Sequence, residues 1–174
     1  MKAALVIVDV QDTLLPLVWR GEELADRIAA LARGLRPGGT PVVALQQVFD
    51  PGSPVSARLG LEPSDVVIRK TATDAFYDTE LAALLTGWGV DTIVLTGLAT
   101  DYCVDATARS ALSHGLDVVL VSDGHAPAAD GDPEAGLTAE QVVDRHNRIL
   151  STAVHPGGTL RLCPAAELPA LLLH

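Results

Sequence analysis

Residues 91–123 read DTIVLTGLATDYCVDATARSALSHGLDVVLVSD. The pattern changes twice within this stretch. DTIVLTG (91–97) and DVVLVSD (117–123) are short runs of Val, Ile and Leu with no polar alternation. Such runs suit strands covered on both faces, as in a parallel sheet. Between them, DYCVDATARSALSHG (101–115) is helix-like and stops at Gly115, a residue type that ends helices readily.

The same rhythm extends in both directions. AALVIVDV (3–10), PVVALQQV (41–48) and DVVIR (65–69) are further buried-strand runs, and TLRLC (159–163) is a weaker one. GEELADRIAALARGLR (21–36) sets Leu24, Ile28, Leu31 and Leu35 on one helical face,. DTELAALLTGWG (78–89) opens on an Asp suited to capping and closes at Gly89,. TAEQVVDRHNRILST (138–152) has Gln141 three residues after Thr138, a capping-box pattern,. AAELPALLLH (165–174) reads as a short last helix, interrupted by Pro169. Strand and helix alternating along one chain predict an α/β fold, doubly wound and Rossmann-like. The expected sheet is mainly parallel and six-stranded, with helices on both faces in three layers and one domain over 1–174. Two connections, 49–64 and 124–136, are rich in Pro, Gly, Ala and Asp. Long loops of this kind are candidate lids or binding loops.

The 174 residues suit a single core,. Aromatic residues make up only 3% of the chain, so Leu, Val, Ile and Ala must fill that core. The formal net charge of −10 argues against nucleic acid or an anionic membrane surface as partner,. Two cysteines, Cys103 and Cys163, make neither a disulfide framework nor a metal-type spacing,. A cytoplasmic location is expected. AALVIV (3–8) is too short, and too soon broken by Asp9, to be a signal segment,. No apolar run reaches membrane-spanning length,.

Ligands of open parallel sheets bind at the carboxyl ends of the strands. Three chemically capable residues fall there: Asp9, Lys70 and Cys103. Each has a plainer reading as well: a loop-capping carboxylate, a solvated charge and an inert buried thiol. Cys103 is placed in the first turn of a helix, where N–H groups and a cation such as Lys70 would stabilise a thiolate. The same N–H groups could hold an oxyanion. No His stands clearly at the site, since His125 falls on the 124–136 loop. Asp9, with its pKa raised by burial, is then the base available to the thiol. Together the three would make a thiol-dependent acyl-transfer site.

These segments resemble the isochorismatase-like cysteine hydrolases. IVDVQDTLL is similar to that family's first-strand D-x-Q motif, and RKTATDAFYDTEL to its K…SAF…T-x-L segment. VLTGLATDYCVDATARSALSHGLDVVLVSDGHA resembles G-x-x-T-x-x-C-x-x-x-T-A with the strand that follows. The resemblance implies an Asp9–Lys70–Cys103 triad and a cis peptide at Leu98–Ala99. It implies an oxyanion hole from the N–H groups of Ala99 and Cys103, and a homodimer or larger homo-oligomer. Expected around a small-molecule substrate are Gln11, Leu14, Gln47, Phe49 and Tyr102. The chain departs from the metal-binding members. Gln47 and Phe49 stand where the family's metal Asp and first His would be, and no His occurs before His114. No metal and no organic cofactor is therefore expected. The reaction so implied is cleavage of a C–N bond in a small amide, ureide or lactam through a thioester on Cys103. Two alternatives stay open: vinyl ether or ester hydrolysis in the same pocket, and a non-catalytic small-molecule binder.

Overall fold

The apolar runs become strands because helices cover both faces of the sheet. The computed structural model describes residues 1–48 and 52–172. Six strands make up the sheet: β1 (Ala3–Val8), β2 (Val42–Gln47), β3 (Val66–Lys70), β4 (Thr92–Leu98), β5 (Asp117–Ala126) and β8 (Leu160–Cys163). Their order is β3-β2-β1-β4-β5-β8, and every pairing is parallel. A small antiparallel pair, β6 (Gly131–Asp132) with β7 (Leu137–Thr138), stands apart from it.

The helices are α1 (Gly21–Leu35), α2 (Leu81–Gly87), α3 (Asp105–Ser113), α4 (Ala139–Thr152) and α5 (Leu168–Leu172). Side chains alternate across each strand, so β1 feeds two cores. Ala4, Val6 and Val8 pack with residues of α2, α3 and α4. Leu5 and Ile7 pack with α1 and with Leu168 of α5. The Leu24, Ile28, Leu31 and Leu35 face of α1 is buried as its spacing requires,. The capping box of α4 is in place: Thr138 Oγ1 accepts from Gln141 N at 3.3 Å, and Gln141 Oε1 accepts from Thr138 N at 2.9 Å.

Two local features differ from the sequence reading. The stretch before α3 is a π-helical turn, Thr100–Val104, so Cys103 precedes the regular helix. The expected 124–136 loop starts later, because Gly124, His125 and Ala126 extend β5 and pair His125 with Gly97.

The chain turns from β1 toward β2 and β3 on one side, and β4 begins the opposite half. The carboxyl ends of β1 and β4 therefore flank the crevice where an open sheet binds ligand. Gly97 sets the width of that crevice. It lies beside Val8 in the register, with φ at +120°, and a Cβ there would run into the Val8 backbone. Gly97→Ala should therefore cost more than about 2 kcal/mol in denaturant unfolding. Gly34, in α1, has nothing within 4 Å of its Cβ position, and Gly34→Ala should gain about 0.5–1 kcal/mol. Equal effects from the two substitutions would refute the close-approach argument.

Candidate active site

Three elements deliver the site. Asp9 is the first residue after β1, Lys70 is the last residue of β3, and Cys103 lies in the π-helical turn after β4. Asp9 takes a left-handed backbone conformation, φ 53°, which Asp tolerates better than most residues,. Its N–H donates to Leu45 O at 3.1 Å, tying the turn back to β2.

Lys70 is only 1% exposed. A buried ammonium must be paired and hydrogen-bonded. Its Nζ lies 2.7 Å from Asp9 Oδ2. It donates to Gln47 Oε1 at 2.6 Å and to Ala72 O at 3.0 Å, and Cys103 Sγ lies at 3.4 Å. Four acceptors thus crowd a group with three hydrogens. The other oxygen of Asp9, Oδ1, is buried with no hydrogen-bond partner among the described residues.

Burial pushes the Asp9 carboxyl above its ordinary pKa, against the opposing pull of Lys70,. The Cys103 thiol is pushed up to about 11, first by burial and then by the charge of Asp9, with Lys70 opposing. This corrects the expectation of a helix-stabilised thiolate. Desolvation and the neighbouring carboxylate outweigh the cation, so in the resting site the proton stays on sulfur.

A cavity of about 330 Å³ opens over these groups. Of the residues expected around a substrate, Leu14, Gln47 and Tyr102 line it, as do Leu98, Ala99 and Cys103. Phe49 lies outside the described residues. Gln11 has a different place: it is 0% exposed and absent from the lining. Its amide is spent on backbone, with Nε2 donating to Gln47 O (3.1 Å) and Ser53 O (2.8 Å), and Oε1 accepting from Gln47 N (2.9 Å). Gln11 therefore fixes the wall and does not face the cavity. Leu17, Val18, Thr71, Thr73 and Ala128 complete the lining among the described residues and were not singled out from sequence. Thr71 follows Lys70 directly and Thr73 lies two residues beyond Thr71, and Ala128 belongs to a stretch whose composition marked it as a candidate binding loop.

The Leu98–Ala99 peptide is cis. Ala99 O accepts from both Tyr102 N and Val104 N at 3.1 Å. Among the described residues, neither Ala99 N nor Cys103 N takes part in a loop or cap hydrogen bond. Also among the described residues, no group of three or more His, Cys, Asp or Glu side chains is arranged to hold a metal ion.

A buried polar chain supports this turn from behind. His125 Nδ1 lies 2.8 Å from Thr100 Oγ1, and His125 Nε2 lies 3.0 Å from Asn147 Oδ1. Asn147 Nδ2 donates to Ser122 O at 2.9 Å, which fixes the amide orientation. Nε2 of His125 must then carry the proton, leaving Nδ1 to accept from Thr100. Burial lowers the imidazole pKa to about 4, so it stays neutral. Sequence reading missed this chain because its members lie on three separate elements.

Comparison with known proteins follows the same lines. Residues 3–153 match the family model described as Isochorismatase domain. A streptothricin hydrolase of Streptomyces noursei is 40% identical over 146 residues, covering 74% of this chain and 57% of that protein. The chain thus spans little more than half the length of that relative. A maleamate amidohydrolase of Pseudomonas putida is 37% identical over 75 residues, covering 41% of this chain and 35% of that protein. A solved isochorismatase family protein of Burkholderia thailandensis superposes with a TM-score of 0.79 at 27% identity, covering 99% of this chain and 96% of the other.

Two measurements check the electrostatics. Alkylation of Cys103 by iodoacetamide should still be accelerating at pH 10, since its pKa is about 11. Asp9→Asn removes a raising charge and should move the inflection down. A plateau at or below the ordinary thiol value would contradict the burial argument. His125 acts on stability. Its folded pKa, about 4, lies below its ordinary 6.5, so the unfolded chain binds the extra proton. Stability from this group is complete above the unfolded value and is lost as pH falls toward 4, by about 3 kcal/mol,. His125→Asn should flatten that part of the stability–pH curve, and an unchanged slope would remove His125 as its source.

Proposed function

The chain belongs to the isochorismatase family, and we propose that it is a cysteine hydrolase cleaving the C–N bond of a small amide, ureide or lactam. The observation that carries this reading is the convergence of Asp9, Lys70 and Cys103. Lys70 Nζ stands 2.7 Å from Asp9 Oδ2 and 3.4 Å from Cys103 Sγ, against a cavity that Asp9 and Cys103 both line. The relative named as an amidohydrolase supports an amide as the bond class.

In this reading Cys103 Sγ attacks the carbonyl carbon while its proton passes to Asp9, whose Oδ1 has open lone pairs,. Lys70 keeps its charge and offsets whichever neighbour is negative. The carbonyl electrons move onto oxygen, which the N–H groups of Ala99 and Cys103 receive. Collapse of the intermediate breaks the C–N bond, and Asp9 returns its proton to the departing nitrogen. That return matters because an amine leaves poorly unless protonated. By raising the pKa of Asp9, burial lets its carboxyl hold the proton in the interim,. Asp9 then takes a proton from water as it attacks the thioester. The acid product departs and the thiol is restored.

The test is a screen of small amides, ureides and lactams for release of ammonia or amine, with acid-quenched samples read by peptide mass spectrometry. Cys103→Ala and Asp9→Asn should each lower turnover about 10³-fold or more. An acyl adduct should appear on the Cys103 peptide of the wild type. Full turnover by Cys103→Ala would overturn the reading. The acid limb of kcat/KM should fall above the ordinary carboxylate range, because a protonated Asp9 cannot accept the thiol proton,.

A further inference from the structure

We infer that the pocket takes neutral or cationic amides and turns away those bearing a carboxylate. This rests on the hydrolase reading above and adds the charge of the substrate to it. Among the described residues lining the cavity, Asp9 is the one with a formal charge. Lys70 stands behind it, and its Nζ is taken up by Asp9, Gln47, Ala72 and Cys103. The chain has twelve Lys and Arg residues, and the eleven besides Lys70 are all described and all absent from the lining. Several are engaged elsewhere: Arg20 with Glu23, Arg27 with Asp123, Arg36 with Asp65, Arg58 with Glu22 and Arg109 with Asp105.

What the cavity does offer fits an uncharged or positive ligand. Asp9 Oδ1 is a buried acceptor with no donor, on a residue 2% exposed, and an N–H of the ligand can supply one. Gln47 gives its Oε1 to Lys70, which leaves Nε2 to donate to a carbonyl oxygen. Thr71, Thr73 and Tyr102 add neutral hydroxyls. Neutral donors suit a carbonyl, but a carboxylate buried on them loses water without gaining a cation. It would also bring a second negative charge toward Asp9 and hold the thiol proton more firmly on sulfur. A cavity near 330 Å³ keeps any such charge close to the reacting atoms,.

The test uses three thiol reagents of one chemistry and matched size: 2-aminoethyl, ethyl and 2-carboxyethyl methanethiosulfonate. Rates of Cys103 modification are read by peptide mass spectrometry and divided by the rates on a free cysteine peptide. The normalised rate for the carboxyethyl reagent should be lower than for the other two by about 10-fold or more. The gap should persist in 0.5 M KCl, which removes the contribution of distant surface charge. Thr73→Arg puts a cation on the exposed wall and should raise the ratio of the carboxyethyl rate to the ethyl rate. Val154→Arg, at a residue 97% exposed and absent from the lining, should not. Equal normalised rates for the three reagents would overturn the charge selection and leave the nucleophile standing. Failure of every reagent to label Cys103 in the folded protein would overturn the hydrolase reading, and the selection with it.

Discussion

Lys70 holds an ammonium group at 1% exposure, and the carboxylate of Asp9 at 2.7 Å makes that burial tolerable. Neither charge survives inside the sheet alone, because removing one partner leaves the other uncompensated at a cost of about 3–5 kcal/mol. The pair ties the end of β1 to the end of β3, two strands that do not touch. β2 lies between them, and Gln47, beside Lys70 in the register, supplies the carbonyl that Lys70 bonds at 2.6 Å. Gln11 in turn holds both backbone groups of Gln47. The strand ends are thus locked in one layer before any substrate arrives. A carboxylate within reach of a thiol can act only if such a frame fixes it, since catalytic geometry tolerates little misplacement.

The other wall comes from close approach. Gly97 lets β4 run against Val8, and the turn after it brings Ala99 and Cys103 into the same cavity lining as Asp9. The chain from Thr100 through His125 to Asn147 braces that turn against β5 and α4. A neutral imidazole suits this work. A charged one at such depth would need a counter-ion and would disturb the balance of the site. Burial therefore serves two ends, holding His125 uncharged behind the turn and raising the carboxyl and thiol in front of it.

The fold was legible because β1, β2, β4 and most of β5 are covered on both faces, which leaves continuous apolar runs in the sequence. Polar residues at the ends of such runs are conspicuous, so Asp9, Lys70 and Cys103 could be picked out as candidates. The fate of Gln11 was not legible. Its backbone partners at Gln47 and Ser53 come from distant positions, and local sequence does not announce them. The π-helical turn at Thr100–Val104 has the composition of an ordinary helix start, and it differs only in hydrogen bonding. His125 looked like a loop residue because Gly124 precedes it, yet pairing with β4 carries the strand past that glycine. The raised thiol pKa was hidden for a related reason. Spacing brings a cation near sulfur, but the extent of burial decides whether the cation wins.

The electrostatics of the site follow from a count of its charges. At rest it holds one carboxylate, one ammonium and a neutral thiol. In the proposed reaction, once the thiol proton has moved to Asp9, it holds a neutral carboxyl, the same ammonium and a thiolate. The net charge is zero in both states, so the transfer relocates negative charge beside Lys70 without creating any. In a buried site this is the least costly way to make a nucleophile, because an unbalanced charge there is heavily penalised. A thiol pKa of about 11 is no obstacle to such a step, since the free thiolate never has to accumulate in water,. The same neutrality constrains the ligand. A neutral amide leaves the count at zero throughout; a cation raises it by one but has the Asp9 carboxyl group in the lining to meet it. An anion would leave the buried site one charge short in every state, with no lining side chain among the described residues to restore the balance.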